Sequence, residues 1–282
     1  LPLHVPGSCP NRDGKVSFGG CSFCAEGAMD FELLDAGLPI KEQLEQNKTY
    51  MGKRYGAKKF IAYFQNFSAT YRPLDELTSL MEQALVEDIV EISLSTRPDC
   101  IDEDMIKAIK DFSRRHHVEV SIELGVQCLS DAVLTSMQRG HDAQASLKAM
   151  EAVKDHGLIL GVHAILNYPG MTRNDVKEMA LVFSEYGVDR VKLHSLYVEK
   201  GTVLGKAFEK NEIEICSAEE YMERVLLFLG YLDTNIAIER FFARAPEETT
   251  LFCNWSRSWR YLMNELERIM EERNFVQGEL RR

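Results

Sequence analysis

The chain has 282 residues, 45% hydrophobic and 27% charged, with 33 Lys and Arg against 44 Asp and Glu for a formal net charge of −11. That length holds one large α/β domain with a substantial core, and the composition is that of a globular protein, not a disordered or fibrous one. No apolar run approaches the ~20 residues of a membrane span and no signal-peptide pattern opens the chain, so the expectation is a cytoplasmic protein with no membrane partner. The acid excess speaks against a broad nucleic-acid surface, because phosphate contacts need Lys and Arg. Two local basic stretches stand out from it: Lys48, Lys53, Arg54, Lys58 and Lys59, and then Arg240, Arg244, Arg257 and Arg260 with Trp255, Trp259 and Tyr261 interleaved. Solvated helix faces and core aromatics are the plain explanation of both. The first residue is Leu, so a few native residues are expected to precede it.

In chain order, Leu1 to Val5 is a candidate first strand and leads into a loop carrying Cys9, Cys21 and Cys24 in the spacing C-x11-C-x2-C. Pro10, Asn11, Asp13, Gly14, Gly19 and Gly20 make this segment turn-rich, and Arg12 and Asp13 are expected to fold it. Two thiols two residues apart chelate one face of a metal or cluster. A third from across the loop suits a [4Fe–4S] cluster with one iron left open. A structural zinc site wants four ligands, for which His4 is available as H-x4-C, and that alternative stays open at this point. A disulfide framework fits less well, since seven cysteines is an odd number and nothing marks the chain as secreted.

Beyond the loop, strand and helix patterns alternate. Helices are predicted from Pro39 to Tyr55, from about Pro73 to Glu87, from Asp102 to Arg114, from Asp131 to Gln138, from Asp142 to His156, and from a Thr172 cap to Tyr186. Short apolar strands are predicted at Phe60 to Phe64, Ile89 to Ser95, Val118 to Leu124, Ile159 to Leu166 and Val188 to Leu196. Alternation of this kind implies a parallel sheet closing into a full or partial barrel, with chemistry at the C-terminal strand ends. Gln65, Ser95, Gln127, His163 and His194 all fall at such ends, as does the cysteine loop. After Gly201 the pattern changes to a helix from Ala218 to Leu229, a strand from Asn235 to Phe241 and a long helix from Trp255 to Arg273. The expected organisation is therefore a core over 1–200 and a C-terminal α/β extension over 201–282, packed on the barrel.

The run CPNRDG followed by GGCSFC resembles the radical S-adenosylmethionine (SAM) enzymes of the YhcC/YtqA type, relatives of the Elongator catalytic subunit and of coproporphyrinogen dehydrogenase. The likeness continues through Tyr63-Phe64-Gln65, Thr96-Arg97-Pro98-Asp99-Cys100, Glu123-Leu124-Gly125-Val126-Gln127, Arg139-Gly140-His141-Asp142, Lys192-Leu193-His194 and Glu239-Arg240. The resemblance implies a partial (β/α)6 radical-SAM barrel. It also implies a [4Fe–4S] cluster on Cys9, Cys21 and Cys24, with SAM on the open iron cleaved by one electron to a 5′-deoxyadenosyl radical. The electron donor would be of the flavodoxin or ferredoxin kind. The substrate so implied is tRNA, modified at its wobble uridine; a small metabolite, a peptide, or a non-catalytic metal-binding role are the alternatives.

Residue by residue, Phe23 matches the aromatic of the cysteine motif that lies near the adenine. By register, Gln127 matches a ribose contact and Arg139 a partner of the methionine carboxylate. His163 and Ser95 occupy positions where the relatives carry acidic SAM contacts, and depart from them in residue type. Gln65 and Glu123 are expected to line the cavity beside the cofactor. Lys192 and His194 share one face of their strand by alternation and are the candidate catalytic pair. A core ion pair is the plain alternative for these lining residues, and a surface salt bridge for Arg139. Cys128, Cys216 and Cys253 are expected to be structural.

Overall fold

The computed structural model describes residues 1–25 and 33–281. Its strands are β1 (Pro2–Leu3), β2 (Phe60–Phe64), β3 (Ile89–Thr96), β4 (Glu119–Gln127), β5 (Ile159–Ile165), β6 (Arg190–His194), β7 (Val198–Glu199), β8 (Ala237–Arg240) and β9 (Thr250–Phe252). The helices are α1 (Ile40–Tyr55), α2 (Leu74–Gln83), α3 (Glu103–His116), α4 (Asp131–Ser136), α5 (Ala143–Asp155), α6 (Arg173–Glu185), α7 (Val203–Glu209), α8 (Ala218–Tyr231) and α9 (Trp259–Glu272). One seven-stranded sheet has the order β1-β2-β3-β4-β5-β6-β8, and β7 and β9 form a separate antiparallel pair. The chain divides into two compact units. One holds Leu1–Phe18, the described part of 29–125, and Lys148–Leu160; the other holds the described part of 19–28, Val126–Leu147 and 161–281.

In the first unit the strands pair in parallel, with Leu3 opposite Phe64, Ala62 opposite Ile92 and Ser93 opposite Ser121. Helix α3 shows why the connecting segments are helical. Asp102 accepts from Met105 N at 2.9 Å, acids fill the first turn and bases the last, and Ile106, Ile109 and Phe112 are buried. Strand β1 is only two residues long, and side-chain amides continue its pairing. Gln43 accepts from His4 N and donates to His4 O, both at 2.8 Å, and Asn66 accepts from Val5 N at 3.4 Å and donates to Val5 O at 3.0 Å. These amides carry the chain in register to the start of the cysteine loop.

In the second unit β5, β6 and β8 run parallel, with His163 opposite Lys192 and Val191 opposite Ile238. Helix α6 opens with a reciprocal capping box between Thr172 and Asp175. The predicted helix from Trp255 begins instead at Trp259, because Asn254, Trp255 and Ser256 all have positive φ, between 50° and 59°. The reason is tertiary. Buried Asn254 accepts from Ser195 Oγ at 2.6 Å and donates to Ala243 O at 2.9 Å, while Trp255 Nε1 donates to Cys216 O at 2.7 Å. Helix α2 stops at Gln83, short of Glu87, as the chain turns into an Asp88 with φ 71°. Strands β7 and β9 and helix α7 are too short to leave a periodic signature.

Asn66→Ala removes both side-chain bonds to Val5 and strands two buried backbone groups. Urea unfolding should show a loss of about 2–3 kcal/mol, with the m-value unchanged.

Candidate functional site

The cysteines sit in two differently built turns. In the first unit the Cys9 carbonyl accepts from Arg12 N at 2.8 Å and Asp13 N at 3.2 Å, and Val16 N donates to Pro10 O at 2.8 Å. Asp13 pairs antiparallel with Phe18 across this turn. Gly14 allows the turn: its φ is +94° and the Phe18 ring lies 2.4 Å from where a Cβ would be. Arg12 lies over the Phe67 ring and Lys15 over Tyr71. Arg12 and Asp13 thus fold the loop, as the sequence suggests.

In the second unit Cys21 is 6% exposed and Cys24 half-buried. Ser22 fixes their turn from both sides, donating to Met137 O at 2.8 Å and accepting from Leu204 N at 2.8 Å. Its hydroxyl meets Tyr168 Oη at 2.7 Å, and Phe23 packs edge-on against the Tyr168 ring at 6.4 Å. Sequence reading missed Tyr168; the only signal was its place in the Asn-Tyr-Pro-Gly turn after β5. Arg139 reaches the same turn, with Nη1 3.3 Å from Cys21 Sγ. At 7% exposure Arg139 is not a surface ion pair. A guanidinium against a buried sulfur favours the thiolate. Gln127, at the end of β4, has φ 67°, a left-handed conformation that strains a residue with a Cβ.

The strands of both units share an unusual feature. Buried parallel strands are normally apolar on both faces. Here Ala62, Phe64, Ile92, Leu94, Val120, Ile122, Leu124, Val162, Ala164, Val191 and Leu193 are at most 1% exposed, while the residues between them are polar. In the first unit, buried Glu123 accepts from Ser93 Oγ at 3.1 Å and Glu91 from Ser121 Oγ at 2.7 Å. Ser95 stands opposite Glu123 in the ladder and is half-buried, as is Gln65 just after β2. Glu91 was not singled out from the sequence. Arg97 holds Asp99 in two bonds of 2.8 Å beside Cys100, whose thiol burial pushes up to about 11.

In the second unit the same alternation gathers His163, Lys192 and His194. The two imidazoles stack with centroids 5.1 Å apart. Lys192 Nζ lies 3.1 Å from Glu239 Oε2, which Arg190 approaches to 3.9 Å on the other oxygen, so the half-buried cation has its partner. Arg240 places Nη2 at 3.1 Å from Nδ1 and 2.9 Å from Nε2 of His194. Burial, then Arg240, His163 and Lys192, hold His194 well below the usual histidine range. The ring is therefore a neutral acceptor near pH 7. Half-buried Arg240 faces His194 and half-buried Trp255 packs on Tyr221 and Phe252, so neither belongs to a surface patch, which corrects the grouping suggested by their spacing. Cys128 is fully buried with its thiol pushed to about 11, and burial raises Cys253 to the same value; both are inert.

All seven cysteines are free thiols. Among the described residues no three His, Cys, Asp or Glu side chains form an ion cage by themselves. His4 Nδ1 is engaged with Leu34 O at 3.0 Å, and its backbone is held by Gln43. The thiol donor set and the cation at Cys21 fit a thiolate-ligated cluster.

A seven-stranded, mainly parallel α/β sheet with cysteine turns and a polar strand face defines a class. The model of the Radical SAM superfamily matches residues 9–183, and that of the Radical_SAM C-terminal domain matches 188–272. The chain belongs to the radical SAM superfamily, as an enzyme with a partial α/β barrel fold, a [4Fe–4S] cluster and SAM as cofactors. It is 30% identical over 275 residues to YtqA of Bacillus subtilis (strain 168), covering 96% of this chain and 84% of that protein. It is 28% identical over 156 residues to the tRNA uridine(34) acetyltransferase of Methanocaldococcus infernus, covering 54% of this chain and 28% of the relative. The solved structure of Methanocaldococcus infernus Elp3 with an N-terminal deletion superposes with a TM-score of 0.67 at 19% identity, over 84% of this chain and 59% of that one.

Gln127→Gly relieves the left-handed strain and should raise stability by about 1 kcal/mol; SAM affinity, measured by calorimetry on reconstituted protein, should fall several-fold. Unchanged affinity would make Gln127 structural.

His194 gives a pH signature. Its folded pKa lies below its unfolded value, so the unfolded state binds the extra proton. Stability is full above about 6.5 and declines by at most ~1.4 kcal/mol per pH unit below it. His194→Gln should flatten that decline between pH 7 and 5 in parallel urea titrations.

Proposed function

We propose that this radical SAM enzyme acts in the cytoplasm on tRNA, remodelling a substituent of wobble uridine, with residues 1–200 as its core and 201–282 as an extension. The likeness to the tRNA uridine(34) acetyltransferase carries the substrate assignment. Cys9, Cys21 and Cys24 supply three thiolates, leaving one iron of the cluster for SAM. A cluster held there, reduced by a donor of the flavodoxin or ferredoxin kind, would supply the one-electron chemistry that cleaves SAM reductively to methionine and a 5′-deoxyadenosyl radical.

The chain's own residues bind and orient. Arg139, beside Cys21, places a buried positive charge where it would pair with the SAM carboxylate. Gln127 addresses the ribose and Phe23, on Tyr168, the adenine. Gln65, Ser95, Glu123 and His163 line the cofactor's surroundings with polar groups. Lys192, anchored by Glu239, and neutral His194, anchored by Arg240, position the substrate through hydrogen bonds.

The test is anaerobic reconstitution with iron and sulfide, followed by dithionite and SAM. About four irons, a broad visible absorption and 5′-deoxyadenosine formation that rises with added tRNA are expected. Ala at Cys9, Cys21 or Cys24 should each abolish the absorption. Stoichiometric zinc without a cluster would sink the ligand assignment. Stimulation by a peptide or metabolite in place of tRNA would redirect the substrate.

A further inference from the structure

Two basic stretches interrupt this acidic chain, and the structure treats them differently. In the first, Lys48 pairs with Glu45 at 3.3 Å and donates to Glu87 O at 2.9 Å, Lys59 pairs with Asp88 at 3.0 Å, and Arg54 lies against Tyr50 and Tyr55. Three of its five cations are held by these local partners, while Lys53 and Lys58 have no aromatic ring among the described residues to mount them. At the start of α9 the arrangement differs. Arg244 and Arg260 are exposed, and both guanidiniums lie over the Trp259 ring, 5.0 and 4.7 Å from its centroid. Among the described residues neither makes an ion pair. Next to them, Arg257 lies over the half-exposed Tyr261 ring at 5.7 Å and is ion-paired with exposed Glu219 at 3.6 Å.

Stacking on an aromatic ring has a specific consequence. It pins a long side chain that would otherwise lose rotamer entropy on binding, and leaves the N–H edge of the guanidinium available in its own plane. Ring-mounted arginines without carboxylate partners suit a row of phosphates, with the aromatic edges beside them for sugar or base contact. The N-terminus of α9 adds no free donors of its own at Tyr261 N, which Ser258 Oγ already accepts at 3.1 Å, so the side chains carry the charge.

We infer that Arg244, Trp259 and Arg260, flanked by Arg257 and Tyr261, form a docking surface for the phosphate backbone of tRNA, a site separate from the cysteine turns; this rests on the tRNA reading above. Phosphate complementarity decides the occupant: these three arginines face solvent on a chain of net charge −11, where a partner of ordinary mixed charge gains nothing from them.

The experiment measures bulk tRNA binding by the reconstituted enzyme from 50 to 200 mM salt, for the wild type, Arg244→Ala/Arg260→Ala, Trp259→Ala, and a Lys53→Ala/Lys58→Ala control. All five altered side chains lie outside the proposed SAM site, so 5′-deoxyadenosine formation without tRNA should be equal throughout. Losing two phosphate contacts should weaken binding about tenfold or more at low salt and reduce the slope of log affinity against log salt by about 1.4 to 1.8. Trp259→Ala should weaken binding at unchanged net charge. The lysine control should bind like the wild type. Arg244→Lys/Arg260→Lys, which keeps charge but loses the stacked fork, should fall between.

Wild-type binding left intact in the arginine and tryptophan variants would overturn the surface while leaving the tRNA reading standing. An equal loss in the lysine control would overturn it too, reducing the effect to total charge. No tRNA binding by the wild type at 50 mM salt would remove both. Normal tRNA binding with lost turnover under reduced flavodoxin would instead assign the face to the electron donor and overturn the proposal.

Discussion

The rest of this structure depends on one constraint, the period-two alternation of side chains in parallel strands whose two faces meet different surroundings. Val162, Ala164, Val191 and Leu193 go to the face that is shut from solvent, and register then sends His163, Lys192 and His194 to the other. Burying the first set stabilises the sheet by about 25 cal/mol per Å² of apolar surface. The second set is tolerated only because each polar group has a partner. Lys192 has Glu239, His194 has Arg240, Glu123 has Ser93 and Glu91 has Ser121. A sheet needing only stability would be apolar on both faces.

The cysteine turns follow the same logic of partners supplied by neighbouring elements. Cys21 and Cys24 sit on a turn whose backbone is held by Met137 and Leu204, and whose hydroxyl is held by Tyr168. Arg139 adds positive charge at a buried sulfur. The left-handed Gln127 lies where β4 ends, and strain of this kind persists only where the surroundings over-determine it. Chemistry, rigidity and strain therefore concentrate at the strand ends and in the turns that follow them.

In the C-terminal region, polar clamps take the place of the repeating sheet. Ser195, Asn254 and Ala243 form a buried hydrogen-bonded set that forces three successive residues to positive φ. The clamp removes Trp255 from the helix and makes Ser258 the N-cap of α9. Trp259 then stands at the helix start with arginines over its ring. A few buried amide bonds thus decide which aromatics are core and which reach the surface.

The sequence by itself determined the class of fold, most strands and most helices. Alternating apolar runs, a proline or Asp102 at a helix start, and the Thr172 box act within a few residues. The cysteine spacing likewise carried the cluster chemistry, strand-end placement singled out Gln65, Ser95, Gln127, His163 and His194, and the family resemblance added Arg139. Only the tertiary structure decided who partners whom. That Arg139 meets Cys21, that Arg240 caps His194, that Tyr168 braces Ser22, and that Trp255 leaves the helix all depend on residues far apart in the chain. Such pairings come from packing and from the cost of burying an unpaired polar group, and neither leaves a local period to read.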